Sequence, residues 1–96
     1  MSINFQSSGD FQRKIAAKAR AQRLVKNLSR RTLAEKSGVT QASIKRFETS
    51  GDVSLSNLLD IALALNCTRE FEALFDPKAP DSIAELQTPP RQRGSL

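Results

Sequence analysis

Apolar residues recur at intervals of three and four along most of this 96-residue chain, a spacing that places them on one face of an α-helix. Residues 11–26 are rich in strong helix formers and contain no Gly or Pro, so they predict the first helix. Ser29 and Thr40 are natural N-caps, and two short helices are predicted to begin directly after them. Ser54 caps a fourth predicted helix over residues 55–65. Alternating runs typical of strands are missing, so the predicted fold class is all-α.

A short fifth helix is predicted to begin at Thr68, with Phe71, Leu74 and Phe75 on one apolar stripe. After Asp76 the composition changes to Pro, Gly and polar residues, which is typical of a tail. The sequence therefore predicts three parts: a flexible N-terminal arm over residues 1–10, a five-helix domain over residues 11–76 and a Pro-rich flexible tail over residues 77–96.

A tight turn separates the second and third predicted helices. Gly38 follows the second helix at a position where glycine adopts positive φ at little cost, and Thr40 caps the third helix two residues later. Because so little chain lies between them, the two helices are expected to cross at a steep angle. The arrangement predicted is a helix-turn-helix, a motif that reads DNA.

The third predicted helix divides its residues between two faces. Ile44, Phe47 and Glu48 share the inward face. The other face carries four residues suited to base edges: Gln41, Ala42, Lys45 and Arg46. Gln pairs with adenine, Arg with O6 and N7 of guanine, and Ala contacts the methyl group of thymine. This face is predicted to read a DNA sequence, and a solvated polar face on an ordinary amphipathic helix is the alternative.

Positive charge is concentrated in the half of the chain that contains this motif. Residues 11–46 hold eleven Lys and Arg and a single acid, whereas residues 47–96 hold four basic and eight acidic residues. Such a basic surface attracts phosphates without regard to base sequence. The residues predicted to contact DNA phosphates lie at the starts of the second and third helices: Arg30, Arg31, Thr40 and Ser43. A basic helical face that binds nothing is the alternative.

One charged residue falls on the buried stripe of the first helix. Ile15 and Ala19 make Arg23 the next inward position. A buried arginine needs a partner, and Glu48 is the predicted one, because a charge left unpaired in the interior costs about 3–5 kcal/mol. The alternative is that Arg23 extends along the surface and places its guanidinium in water.

The composition argues against an enzyme. The chain contains no His and one Cys, so no catalytic site, metal site or cofactor is predicted. The lone Cys67 is expected to fill a small apolar space between the fourth and fifth helices. No apolar run is long enough to span a membrane and the N-terminus lacks the pattern of a secretion signal. The predicted location is therefore the cytoplasm, on the nucleoid.

Surplus apolar residues near the end of the domain predict an interface. Leu63 lies where a polar residue is expected, and Phe71 and Phe75 add more apolar surface than a short helix buries alone. These three residues are predicted to border a two-fold contact between copies of the chain. Packing against the first helix is the alternative.

The five-helix pattern resembles the λ-repressor/Cro type of helix-turn-helix regulator over about residues 15–75. The resemblance is carried by Leu28-Ser29, residues 33–39, Ser43-Ile44, Phe47-Glu48 and residues 54–65. It implies a sequence-specific repressor that binds double-stranded DNA. The family most often has Gln after the cap of the second helix, where it contacts a phosphate; here the residue is Arg30, which can do so by charge. The turn after the third helix is slightly longer than the Glu-x-Gly of many members.

Residues 41–48 and the following turn are most similar to HipB-type antitoxins, which repress their own operon and hold a HipA-type kinase toxin. This resemblance implies a homodimer, a palindromic operator and a HipA-like kinase partner encoded by a neighbouring gene. A free-standing or phage-like repressor shares most of the same residues. A protein-interaction module that has lost DNA binding is the alternative from a different functional class.

Overall fold

The computed structural model describes residues 7–78, which form five helices and no strand. The helices are α1 (Ser8–Val25), α2 (Arg30–Ser37), α3 (Gln41–Ser50), α4 (Leu55–Ala64) and α5 (Arg69–Glu72). The α3 helix packs against α1 and α2, and α2 also packs against α4. The all-α, five-helix class predicted from the sequence is confirmed.

The first helix begins earlier than its composition predicted. The hydroxyl of Ser7 accepts a hydrogen bond from the backbone N–H of Asp10, whose carboxylate accepts one from the backbone N–H of Ser7. This reciprocal pair is a capping box. The backbone hydrogen bond from Ser7, followed by the side chain of Arg13, lowers the pKa of Asp10. The arm predicted over residues 1–10 is therefore wrong for its last three residues, which belong to α1. Residues 1–6 and the tail from 79 onward lie outside the described residues.

Two asparagines end helices in left-handed backbone. Asn27 follows α1 with φ +58°, and Asn66 follows α4 with φ +59°. After α1, the N–H of Leu28 bonds to the carbonyl of Arg23 at 3.0 Å, and the same pattern follows α4. This is a Schellman motif, which satisfies carbonyls that a helix end leaves unpaired. Each of these helices consequently ends within one residue of its predicted end.

One apolar core holds the first four helices together. Its buried members are Ala16, Leu33, Val39, Ile44, Phe47, Ile61, Ala62 and Leu65. Cys67 packs partly buried against this core, and its Sγ lies 3.4 Å from the carbonyl oxygen of Leu65. The thiol thus occupies the filling position that the sequence indicated.

The fifth helix is shorter than its apolar spacing predicted. It contains four residues, and the side chain of Thr68 makes no capping hydrogen bond. Leu74 and Phe75 lie beyond its end and are exposed, with Phe75 in left-handed backbone at φ +67°. Pro77 disfavours helical backbone only at Asp76, the residue before it, so it does not explain an end at Glu72. The predicted single stripe of three apolar residues is therefore wrong, since only Phe71 remains in the helix.

Candidate nucleic-acid interface

The turn between α2 and α3 is as short as the sequence predicted. Gly38 ends α2 in left-handed backbone with φ +79°, and its N–H donates to the carbonyl of Ala34 at 2.9 Å. Val39 then buries its side chain in the core. Thr40 caps α3 by accepting a hydrogen bond from the N–H of Ser43 at 3.1 Å. These three consecutive residues fix the direction of α3 relative to α2 and form a helix-turn-helix.

The two faces of α3 separate as the periodicity predicted. Ile44 and Phe47 are fully buried, and the carboxylate of Glu48 is directed inward. The opposite face exposes four residues, which we call the reading face: Gln41, Ala42, Lys45 and Arg46. A side chain can contact base edges only if it is not packed into the core, and all four of these side chains are exposed.

A group of three charged residues, which we call the charged cluster, fixes α3 against its neighbours. Glu48 accepts two hydrogen bonds from Arg23, Nε to Oε2 at 2.7 Å and Nη2 to Oε1 at 3.0 Å. Nη1 of Arg23 donates to the carbonyl oxygen of Leu28 at 2.7 Å. Arg30, the third member, donates from Nε to Oε1 of Glu48 at 2.9 Å. The structure brings together the pair that the sequence predicted and adds a partner that periodicity did not indicate.

Burial and the two arginines act on Glu48 in opposite directions. Burial raises the pKa of its carboxyl, because water no longer solvates the charge. The hydrogen bonds and positive charges of Arg23 and Arg30 outweigh burial, so the pKa of Glu48 lies below its ordinary value. The carboxylate is therefore ionised at neutral pH, where it links α1, α2 and α3.

The residues predicted to contact phosphates differ in how freely they can do so. The side chain of Arg31 is exposed, with Nε 3.6 Å from Oε2 of Glu35. Arg30 is only one-third exposed and already donates to the charged cluster. The hydroxyl of Thr40 donates to that of Ser43 at 2.9 Å at the start of α3. Of the two arginines, Arg31 therefore has the guanidinium that is freer to reach a phosphate.

An acidic residue lies beside the reading face. Asp52, in the turn after α3, places Oδ2 2.7 Å from Nη2 of Arg46. Both side chains remain more than half exposed. Periodicity could not reveal this pair, because it describes residues within the helix, whereas Asp52 returns to α3 only through the turn at Gly51.

The three residues predicted at a dimer contact differ in exposure. Leu63 is 66% exposed and Phe75 is 94% exposed. Phe71 is half-buried and lines a groove of about 410 Å³ between α1 and α4, together with Ile15 and Leu58. The structure therefore leaves Leu63 and Phe75 uncovered within one chain, whereas half-buried Phe71 lines the groove beside α1.

Within residues 7–78, the acidic and cysteine side chains form no group of three that could hold a metal ion. No helix in the same range is long and apolar enough to cross a membrane.

The short turn, the exposed reading face and the basic residues around it define a helix-turn-helix DNA-binding protein. A family model described as helix-turn-helix, HTH_3, matches residues 20–71, more than half of the chain. The chain belongs to this family of DNA-binding transcription regulators. The match includes all of α2, α3 and α4 and supports the resemblance to λ-repressor/Cro regulators. No curated protein matches the chain.

Proposed function

We propose that the protein is a transcriptional repressor that binds a palindromic operator in double-stranded DNA as a homodimer. The observation that carries the proposal is the reading face, which is exposed on a helix whose opposite face is buried and held by the charged cluster. In the major groove, Arg46 pairs with guanine and Gln41 with adenine. Two copies on half-sites about one helical turn apart supply the affinity that one short helix lacks.

The contacts proposed with phosphates complete the interface. Arg31 and the exposed part of Arg30 approach the backbone from the start of α2, and Thr40 and Ser43 approach it from the start of α3. Contacts of this kind set the position of the protein on the duplex without specifying the sequence. Lys45 and Ala42 complete the reading face, in which Ala42 contacts a thymine methyl group.

Arg46→Ala tests base reading. We expect it to lose about 1–3 kcal/mol of discrimination at one base pair in each half-site, because alanine cannot replace a paired contact with guanine. The operator is first selected from random duplexes with the unmodified protein. Binding of both proteins is then measured on this operator and on single-base variants of it.

The matched control is Arg31→Ala, which removes another exposed arginine that is paired with an acid. It is expected to weaken binding to every sequence alike and to reduce the salt dependence by about one unit for each subunit. If Arg46→Ala and Arg31→Ala give the same uniform loss, α3 does not read bases through Arg46.

The biological setting that we propose is an antitoxin of a HipA-type toxin–antitoxin module in the cytoplasm, bound to the nucleoid. The similarity of residues 41–48 to HipB-type antitoxins supports this setting. The protein, purified from its own cells, is then expected to carry a HipA-like kinase encoded by the neighbouring gene and to bind the DNA upstream of its own gene. Binding to that DNA in cells without such a neighbouring gene would instead indicate a free-standing or phage-like repressor.

Leu63→Lys tests the proposed dimer. Because Leu63 is 66% exposed within one chain, a lysine there should leave the fold intact while placing two charges in the two-fold contact. We expect a folded monomer in sedimentation at concentrations where the unmodified protein is a dimer, and a weakened affinity for a palindromic operator. Leu55→Lys is the matched control, because Leu55 is 65% exposed on the same helix. Equal dimerisation of both variants would place the contact elsewhere.

A further inference from the structure

Arg46 and Ser50 of α3 and Asp52 of the following turn form a closed set of contacts, which we call the Arg46 clasp. Nη2 of Arg46 lies 2.7 Å from Oδ2 of Asp52. The hydroxyl of Ser50 donates to the backbone carbonyl of Arg46 at 2.7 Å and accepts a hydrogen bond from the backbone N–H of Asp52 at 3.1 Å. Ser50 therefore ties the backbones of the other two residues together, and their side chains close the ring.

The turn that carries Asp52 is pressed against α1. Gly51 adopts left-handed backbone with φ +84°, and a Cβ atom there would lie 2.8 Å from the backbone carbon of Gln12 and 2.9 Å from the backbone nitrogen of Arg13. Backbone packing of this closeness leaves the turn little room to move. Consequently the fold sets the position of the Asp52 backbone, next to Arg46.

Stability does not account for the clasp. The side chains of Arg46 and Asp52 are 73% and 56% exposed, and exposed ion pairs contribute little to folding. A negative charge beside a surface that binds DNA also repels phosphates. We therefore look for the role of the pair in the proposed contact between Arg46 and DNA.

We propose that Asp52 is a specificity-determining residue that holds the Arg46 guanidinium in the orientation needed to read guanine, an inference that rests on the proposed base reading by α3. A guanidinium has two edges that can each donate two hydrogen bonds. One carboxylate oxygen at Nη2 occupies a single N–H and leaves one complete edge for O6 and N7 of guanine. Holding the side chain in place before binding reduces the conformational entropy lost on the DNA.

Asp52→Asn weakens the ion pair with little change in size. We expect discrimination at the base pair contacted by Arg46 to fall by about three- to tenfold, because the guanidinium is no longer held in place. Affinity for non-operator DNA should rise, because one negative charge leaves the interface. Ser50→Ala breaks the clasp without changing the charge, so it should lower discrimination while leaving the salt dependence unchanged.

Glu35→Gln is the matched control. Glu35 is an exposed acid 3.6 Å from Arg31, on the helix that precedes the reading helix, and it takes no part in the clasp. Its substitution should raise affinity for all DNA and leave base discrimination unchanged. Comparing Asp52→Asn with Glu35→Gln separates two effects: the loss of a negative charge, which both variants share, and the loss of the ion pair that orients Arg46, which only Asp52→Asn has.

Arg46→Ala gives the loss of discrimination that follows when base reading by Arg46 is removed entirely. All affinities are measured on the selected operator and on an operator changed at the base pair that Arg46 contacts. In the Arg46→Ala background, Asp52→Asn should cause no further loss of discrimination, because it acts through Arg46. Two results would overturn the inference while base reading stands. In one, the Asp52→Asn variant discriminates between bases as well as the unmodified protein does. In the other, Asp52→Asn lowers discrimination as much in the Arg46→Ala background as in the unmodified protein. If Arg46→Ala itself loses no discrimination, base reading through Arg46 fails and the inference falls with it.

Discussion

Glu48→Ala is expected to lower the free energy of unfolding by about 3–5 kcal/mol, because it leaves a buried guanidinium without its counterion. Arg23 is 6% exposed, and both of its hydrogen bonds to a carboxylate end on Glu48. The remaining bond to the Leu28 carbonyl does not neutralise the charge. Urea unfolding followed by circular dichroism measures the loss, which is a large part of the 5–15 kcal/mol typical of a folded domain.

The matched control is Arg30→Ala, which removes a donor to the same carboxylate from a side chain that is one-third exposed. Its loss should be smaller, about 1–2 kcal/mol, because Glu48 keeps both hydrogen bonds from Arg23 and no buried charge is left unpaired. Replacing Arg23 and Glu48 together with Met and Leu should recover much of the loss of the single variant. If the losses from substituting Arg23 alone and Glu48 alone simply add in this double variant, the side chains of Arg23 and Glu48 do not stabilise the fold as a pair.

Acid should weaken the charged cluster. Since the pKa of Glu48 is lower in the folded chain than its ordinary value of 4.5, the cluster stabilises the fold at neutral pH. This contribution is lost as the pH falls below 4.5 and through the lowered pKa. Glu48→Gln removes the titration, so its free energy of unfolding should fall less steeply than that of the unmodified protein between about pH 5 and pH 3.

Local hydrogen bonding explains why α2, α3 and α4 could be located from the sequence. Ser29, Thr40 and Ser54 each accept a hydrogen bond from the N–H three residues later, so a short stretch of chain determines where each helix begins. The start of α1 carried the same signal, because Ser7 and Asp10 have capping-box spacing. The start of α1 was instead predicted at residue 11, where the strong helix formers begin, three residues later than the observed start at Ser8.

Contacts between distant parts of the chain were predictable only where burial demanded them. An arginine on the apolar stripe of α1 requires a counterion, so Arg23 and Glu48 could be paired from their positions alone. Arg30 lies at a helix start with access to water, so nothing in the sequence required it to turn toward Glu48. The Arg46 clasp depends in the same way on how the turn at Gly51 packs against α1, which periodicity does not describe.

The contrast between two glycines isolates the effect of that packing. Gly38 and Gly51 have similar backbone, with φ of +79° and +84°, but a Cβ at Gly38 would meet nothing within 4 Å. Gly38→Ala should therefore cost only the strain of left-handed backbone, about 1–2 kcal/mol.

Gly51→Ala should cost this strain and a further amount of about 1–3 kcal/mol, because the new methyl group must push α1 away from the end of α3. The added carbon would meet the backbone of Gln12 and Arg13, which cannot rotate aside as a flexible side chain can. Movement of α1 would also disturb Ala16 and Phe47, which lie in the shared core. Urea unfolding of the two variants under the same conditions provides the measurement. Equal losses for the two glycines would show that α1 and the turn separate easily, and that the fold does not hold Asp52 in place.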